Sequence, residues 1–243
     1  MNTKVLLIVP AYNEEESILK TYESIRSFNK KSDLKLDAIV INDCSTDSTA
    51  EILATNNIPH VNLVHNLGIG GAVQTGYKYA VENDYDIAIQ FDGDGQHDVK
   101  YVPELIQPIE NRTCDFCIGS RFVDHTSGGF KSSASRRAGI NLISSIIKRT
   151  TGHKIYDTTS GFRAAGKNII KKFATTYPSE YPEPVTNEEL LKEGYAIEEV
   201  AVRMKERQGG VSSIHSWKNV YYMINVILSI LVINMRGSKK NGN

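Results

Sequence analysis

The sequence predicts an α/β fold with a mainly parallel sheet covered by helices on both faces. Across the first half of the 243 residues, short apolar runs alternate with segments of helical spacing. The apolar runs are continuous, which is typical of strands buried on both faces of a parallel sheet. Polar residues follow these runs directly, at the strand ends where such sheets bind ligands.

The predicted elements follow one another in a regular order. Apolar runs predict strands at residues 5–9, 38–41, 61–64, 87–91 and 114–118. Helices are predicted at residues 14–28, 45–54, 70–82 and 103–110. The first helix has Ile18, Tyr22 and Ile25 on one face, the second opens with Ser, Thr and Asp caps, and the third turns small and apolar residues inward. Gly, Ser and Pro clusters predict loops at 127–135 and 178–184.

The length fits one large domain, which we place at residues 1–213. The composition is ordinary for a globular protein, and the net charge of zero gives no indication of nucleic-acid binding. Charge is segregated, however. Residues 1–111 hold 8 Lys and Arg against 17 Asp and Glu, whereas residues 112–172 hold 12 against 3. The basic segment is either a solvated face or an anion site opposite a carboxylate-bound metal.

The chain has three cysteines, Cys44, Cys114 and Cys117. This small, odd count argues against a disulfide framework. They favour a reducing compartment, and residues 5–9 are too short for a signal peptide, so we expect a cytoplasmic location. Cys114 and Cys117 have CxxC spacing. No second pair completes a zinc site, so a metal or redox role is disfavoured.

Residues 214–236 are predicted to form an apolar C-terminal helix, followed by a disordered tail at 237–243. The uncharged stretch, 219–235, is at the lower limit for crossing a bilayer, and three polar residues interrupt it. A single span, an interfacial helix, a homo-oligomer contact, a docking helix for a small membrane protein and a buried helix all remain open. Tyr221, Tyr222 and the basic residues that follow favour the membrane edge.

The run DGDGQHD follows the fourth predicted strand, from Asp92 to Asp98. Asp92 and Asp94, one residue apart at a strand end, can share a hard cation such as Mg²⁺ or Mn²⁺, which also bridges to substrate phosphates. Gly93 between them lets the backbone turn sharply. The run begins like a calcium loop, but Pro103 stands where the final Glu would be. A plain Asp-Gly turn is the alternative.

Three further segments lie at predicted strand ends or turns. They are PAYNEE at residues 10–15, NDCSTDST at 42–49 and HNLGIGG at 65–71. Asn13 is a candidate cap for the helix after it, and Ser45 or Asp47 for the next helix. Asp43 can accept a hydrogen bond from a base or ribose. The Gly-rich run does not fit the dinucleotide-binding fingerprint.

Together these segments resemble the family-2 glycosyltransferases with the GT-A fold, which has a Rossmann-like sheet. More narrowly they look like the dolichyl- or polyprenyl-phosphate sugar synthases. The resemblance covers residues 3–213. Its matching pieces are residues 10–15, 42–49, 66–76, 92–97, 119–122, 135–136 and 157–163.

The resemblance implies roles for individual residues. It assigns Asp92, Asp94 and Gln96 to the metal. It assigns Asp94 and three phosphate-binding arginines, Arg121, Arg136 and Arg207, to catalysis. It places these residues at the nucleotide-sugar: Pro10, Ala11, Tyr12, Glu14, Asp43, Asn66, Gly71, Asp92 and Gly93.

The resemblance has departures. Asn42 stands where the family usually has the first Asp of an Asp-Asp pair. Many lipid synthases carry long C-terminal membrane domains, whereas we expect at most one short helix in residues 214–236. The Gln-x-x-Arg-Trp motif of processive polysaccharide synthases is absent, since Trp217 is the only tryptophan. The sequence therefore argues against a polymerising enzyme.

The resemblance implies an inverting, metal-dependent transferase. It would move a hexose or N-acetylhexosamine from a UDP- or GDP-linked donor to a polyprenyl phosphate. The reaction would take place at the inner face of the cell membrane and serve the assembly or modification of cell-envelope glycans. A phosphate monoester has a second pKa near ~6 and is already ionised. A sugar-hydroxyl acceptor on a growing polysaccharide is the alternative, and it needs a general base. The base candidates are Glu180, Glu183, Glu188 and Glu189, although helix N-terminal charge is the simpler interpretation of the last two. A third hypothesis is a non-catalytic nucleotide-sugar binder.

Overall fold

The computed structural model of the chain describes residues 3–123, 134–204 and 216–235. Within these residues seven short strands form a single sheet. The strands are β1 Val5–Ala11, β2 Leu36–Asn42, β3 His60–Asn62, β4 Ile87–Gln90, β5 Phe116–Ser120, β6 Arg163–Gly166 and β7 Ile197–Ala201. The five predicted strands correspond to β1–β5.

Eight α-helices pack around the sheet in the described part of the chain. They are α1 Ile18–Lys31, α2 Thr49–Thr55, α3 Gly68–Glu82, α4 Val102–Glu110, α5 Ala134–Thr151, α6 Lys167–Thr175, α7 Pro182–Lys192 and α8 Ser216–Met235. The four predicted helices are α1–α4, but the starts predicted for the first two were wrong. Residues 15–17 and 46–48 form turns and bends instead, because the Glu15 amide donates to the Asp47 carboxylate and the Ser48 amide donates to the Glu15 carboxylate.

The strand order is β3-β2-β1-β4-β6-β5-β7. Only β6 runs antiparallel to its neighbours, so the mainly parallel α/β prediction is confirmed. In the central strands Ala11 pairs with Asn42, and Ile8 pairs with Gln90. The carboxyl ends of β1, β2 and β4 therefore meet at one edge of the sheet.

The central strand β1 is buried on both faces. Leu6 and Ile8 point into one hydrophobic cluster, and Val5, Leu7 and Val9 point into the other. The strand period of two divides one continuous apolar run between the two layers. This is the reason that the run does not alternate in the sequence.

The loop predicted at residues 178–184 is half wrong, because α7 begins at Pro182. Proline suits a first helical turn because its φ angle is already fixed. Tyr181 before it has a φ of 51°, in the left-handed region. The loop predicted at 127–135 lies outside the described residues except for its last two, which begin α5. The predicted tail, 237–243, also lies outside them.

A helix is present in the predicted C-terminal segment, where α8 docks against the domain. Val226 and Ile230 are fully buried, and the Asn234 side chain donates a 2.9 Å hydrogen bond to Glu188 of α7. The opposite side exposes Leu228 and Leu231, at 53% and 48%. Among the described residues, no helix is long and apolar enough to cross a membrane.

Candidate active site

An open cleft of about 1010 Å³ lies at the carboxyl ends of β1, β2 and β4. It brings together most of the residues that the resemblance places at the donor or the metal. Those that line it are Pro10, Ala11, Tyr12, Glu14, Asp43, Asn66, Asp92, Gly93 and Asp94. Their assembly follows from the parallel pairing of three strands that are far apart in the chain.

The loops after β1 and β2 bond to each other across one side of the cleft. Asn13 has a φ of 55°, and its side-chain oxygen accepts a 2.8 Å hydrogen bond from the Thr46 amide. The Glu14 amide donates to Thr49 Oγ1 at 2.9 Å. The prediction that Asn13 caps the following helix was wrong, because it caps the neighbouring loop instead. The prediction that Ser45 or Asp47 is the N-cap of α2 was also wrong, because Ser48 holds that position, although the Asp47 carboxylate accepts a 2.9 Å hydrogen bond from the Thr49 amide.

Asp43 connects the second strand to the start of α3. Its carboxylate accepts a 2.7 Å hydrogen bond from the Leu67 amide, and its carbonyl accepts from Asn66 Nδ2. Burial raises the pKa of Asp43, against backbone hydrogen bonds from Leu67 and Gly68 that lower it. Asp43 thus holds a helix start in place and also faces the cleft, where it is placed to meet a ligand.

Asp92 and Asp94 lie in the turn directly after β4. Gln90 Nε2 donates to Asp92 Oδ1 at 3.3 Å, and the Gln96 amide donates to Asp94 Oδ1 at 3.0 Å. The carbonyl of Gly93 accepts from Thr21 Oγ1 of α1. These bonds hold the turn to β4 and α1, so the positions of the two carboxylates are set by the sheet and the first helix.

His97 is a residue of this turn whose role the sequence did not indicate. Its Nδ1 accepts a 3.0 Å hydrogen bond from the Asp92 amide, and its ring stacks on Phe162 with centroids 4.7 Å apart. Burial lowers the pKa of His97 to about 4, so the ring is neutral at neutral pH. His97 therefore holds the backbone at Asp92 by a hydrogen bond, while its ring is held in place by packing on Phe162.

The turn fits a divalent cation, although the described residues hold no group of three His, Cys, Asp or Glu placed to bind one alone. Two carboxylates from one turn leave coordination positions for phosphate oxygens, as Mg²⁺ sites with nucleotides usually do. Gly161 faces this turn, and a Cβ there would lie 3.0 Å from Asp92 Oδ2. The glycine thus keeps open the space in front of the carboxylate.

Arg121 does not line the cleft. It is buried, and its Nε and Nη2 donate to the two carboxylate oxygens of Asp157 at 2.7 and 2.8 Å. The Asp157 carboxylate also accepts from the Arg121 amide at 3.0 Å. Such a bidentate pair holds a guanidinium in one orientation. No local pattern predicts that the Asp157 carboxylate would pair with both Nε and Nη2 of Arg121.

The remaining predicted residues lie elsewhere or outside the description. Gly71 is in α3 and packs on Leu67, where a Cβ would collide, so it does not line the cleft. Gln96 lies in the metal-side turn, where its backbone amide donates a hydrogen bond to Asp94 Oδ1. Arg136 is in the first turn of α5, with its side chain outside the described part. Arg207 lies wholly outside the described residues.

Of the four glutamates proposed as bases, only Glu183 lines the cleft. Glu188 is fully buried, where it accepts hydrogen bonds from Thr150 Oγ1 and Asn234 Nδ2. Glu180 and Glu189 line a separate groove beside α8. The interpretation of Glu188 and Glu189 as helix N-terminal charges was wrong, since Glu183 is the acidic residue in the first turn of α7.

Arg163 is a second residue that sequence reasoning missed, although it closes the matched segment 157–163. The side chain is fully buried. Its Nη1 donates to Thr186 Oγ1 at 2.7 Å, and its Nη2 donates to Tyr177 Oη at 2.7 Å and to Gln90 Oε1 at 3.3 Å. Because β6 is antiparallel, it carries this arginine under the inner end of the cleft, a placement that no local pattern reveals.

The chain has clear relatives among known proteins. The model of the family described as Glycosyl transferase family 2 matches residues 6–174. The undecaprenyl-phosphate mannosyltransferase of Micrococcus luteus is 33% identical over 174 residues, which cover 69% of this chain and 68% of that protein. The UDP-N-acetylglucosamine–dolichyl-phosphate N-acetylglucosaminyltransferase of Methanococcus voltae is 32% identical over 185 residues, or 69% and 71%. These relatives confirm the resemblance seen in the motifs.

Solved structures agree on the fold. The chain resembles the glucosyl-3-phosphoglycerate synthase of Mycobacterium tuberculosis in complex with Mn²⁺, UDP and phosphoglyceric acid, with a TM-score of 0.66. The sequences are 19% identical, and the match covers 96% of this chain and 78% of the other. At that identity the likeness establishes the architecture alone.

Proposed function

The chain belongs to glycosyl transferase family 2, and from that premise we propose that it transfers a sugar from a nucleotide-sugar to a polyprenyl phosphate. The observation that carries the proposal is the rigid Asp92–Asp94 turn facing a cleft large enough for a nucleotide-sugar. Two relatives with about a third of their residues identical carry names that specify a prenyl-phosphate acceptor. The reaction class is thus supported by both the site and the relatives.

The proposed donor lies along the cleft, with the nucleotide near Tyr12, Asp43 and Asn66. Tyr12 is 49% exposed and offers a ring for the base to pack against. Asp92 and Asp94 would hold Mg²⁺ or Mn²⁺ at the diphosphate. When bound, such an ion neutralises the charge that grows on the departing nucleoside diphosphate.

The proposed acceptor approaches the anomeric carbon from the side opposite the diphosphate, which inverts its configuration. A phosphate acceptor brings its own negative charge and so needs cations more than a base. We assign this task to Arg136 and Arg207, and we assign Arg121, whose Nε and Nη2 are already paired with Asp157, the supply of positive charge from behind the cleft. Arginine suits it because its planar fork pairs with phosphate oxygens.

We place the protein at the inner face of the cell membrane, where a polyprenyl phosphate is held. The docking of α8 supports this, because its polar Asn234 turns inward to Glu188 while Leu228 and Leu231 turn outward. Large apolar side chains on one exposed face are typical of helices that lie on a membrane surface.

A transfer assay tests the proposal. Radiolabelled UDP-glucose, UDP-N-acetylglucosamine and GDP-mannose are each incubated with undecaprenyl phosphate and Mn²⁺ or Mg²⁺, with a chelator as control. We expect label in the lipid fraction, its loss with chelator, and a loss of about 100-fold or more in Asp94→Asn. Transfer that persists undiminished in chelator would refute the metal-dependent mechanism.

A sugar-hydroxyl acceptor is the second candidate, because Glu183 is a carboxylate that lines the cleft. Two results together would favour it over the lipid phosphate. The wild type would consume the donor and label a glycan acceptor but not the lipid, and Glu183→Gln would lose that glycan labelling.

A further inference from the structure

Glu183 occupies the inner end of the cleft, beside the metal-side turn. Gln90, Asp92, Gly161 and Glu183 all line the cleft, and Gly161 lies against both Gln90 and Asp92. Gln90 joins them, since its Nε2 donates to Asp92 and its Oε1 accepts from the buried Arg163. A diphosphate held at Asp92 would therefore place the sugar attached to it next to Glu183.

Arg163 fixes Glu183 from beneath. Arg163 Nη2 lies 4.0 Å from Glu183 Oε1, and Nη1 lies 3.5 Å from the Glu183 carbonyl. A fully buried guanidinium is costly unless it is paired and hydrogen-bonded. Its contacts reach β4, Tyr177 and α7, so the orientation of Glu183 depends on the packing of several elements. Burial raises the pKa of Glu183, while Arg163 and a hydrogen bond from Gln90 lower it.

The backbone also presents Glu183 to the cleft. Tyr181 adopts a left-handed conformation immediately before α7, and two prolines flank Glu183 in the first turn. Non-glycine residues are uncommon in this region and cluster where a site requires a particular geometry. Thr186 Oγ1 donates to the Pro182 carbonyl at 2.6 Å and closes the turn from the inside.

We propose that Glu183, positioned by Arg163, recognises hydroxyl groups of the donor sugar and so sets donor specificity. A carboxylate offers two acceptor oxygens, and its hydrogen bonds are about twice as strong as neutral ones. The ring hydroxyls of a hexose are the donors that such a group pairs with. This inference rests on the proposed nucleotide-sugar binding, but it does not require a lipid acceptor.

The experiment compares nucleotide binding with nucleotide-sugar binding by calorimetry in Mn²⁺, for the wild type and for Glu183→Gln. UDP and GDP are measured against UDP-glucose, UDP-N-acetylglucosamine and GDP-mannose. We expect Glu183→Gln to weaken nucleotide-sugar binding by about 10- to 100-fold, with the nucleoside diphosphate within about twofold. Arg163→Lys should change the same ratio in the same direction, because the carboxylate loses its fixed partner. Glu180→Gln, in the separate groove, is the matched control and should not change it.

Equal losses for nucleotide and nucleotide-sugar, or no loss for either, would overturn the proposal. So would a fall in kcat alone, with unchanged donor binding and a shifted pH profile, since that pattern identifies an acceptor base. If Glu183→Gln fails to fold by circular dichroism, Glu183→Asp serves, because it retracts the charge by one methylene and should lower the same ratio. Failure to label lipid in the transfer assay would remove the acceptor proposal and leave this binding ratio unaffected.

Discussion

Replacing Asp157 by Asn tests whether the buried pair with Arg121 supports the fold beside the cleft. The carboxylate is fully buried and accepts three hydrogen bonds from Arg121, of 2.7, 2.8 and 3.0 Å. Asparagine has nearly the same shape but turns an NH₂ group toward donors and removes the negative charge that is paired with the guanidinium. Breaking a buried ion pair from one side costs about 3–5 kcal/mol.

That loss should lower the melting temperature by about 6–20 °C, at roughly 2–4 °C per kcal/mol for a chain of this size. Urea titration followed by circular dichroism measures the free energy directly. Asp84→Asn is the control, since Asp84 makes a 2.9 Å ion pair with Lys167 at the surface and tolerates asparagine at its φ of 53°. The reasoning fails if Asp157→Asn melts like the wild type, because the pair would then contribute no more than the exposed one.

Three further changes have outcomes fixed by the geometry. Burial raises the pKa of Glu188, so the folded chain holds that proton more tightly than the unfolded chain. The contribution of Glu188 to the free energy of unfolding is therefore highest below about pH 4.3 and falls as the pH rises through the folded pKa. In urea titrations from acid to neutral pH, the stability of the wild type should decline relative to that of Glu188→Gln. Parallel curves for the two proteins would contradict this. The double variant Leu228→Glu, Leu231→Glu should sediment with phosphatidylglycerol vesicles severalfold less than the wild type, at an unchanged melting temperature. The control Leu142→Glu, at an exposed position of α5, should sediment like the wild type. Equal sedimentation of all three proteins would contradict the placement of α8 on the membrane surface. A Cβ at Gly161 would lie 3.0 Å from a carboxylate oxygen of Asp92. Gly161→Ala should therefore weaken Mn²⁺-dependent donor binding by about 10- to 100-fold at a nearly unchanged melting temperature. Donor binding as tight as that of the wild type would show that this space is not used.

The sequence predicted those parts of the site that depend on local pattern. A continuous apolar run followed by DGDGQHD predicts a strand and a carboxylate turn, because strand burial and turn chemistry act over a few residues. It also predicted which loops gather at the cleft, since parallel strands align their carboxyl ends. The choice among Glu180, Glu183, Glu188 and Glu189 was not open to such reasoning. Their distances from the cleft depend on how α7 packs against α5, α8 and the sheet.

The sequence by itself thus determined the α/β class, the central strands and the acidic turn, because each follows from short-range periodicity and backbone geometry. The tertiary structure alone decided that Arg121 is paired with Asp157, that Arg163 lies under Glu183, and that the polar Asn234 of α8 faces inward. These contacts join residues 20 to 46 positions apart in the chain. A buried charge takes whichever partner the packing of distant elements brings to it, and a linear pattern carries no record of that partner.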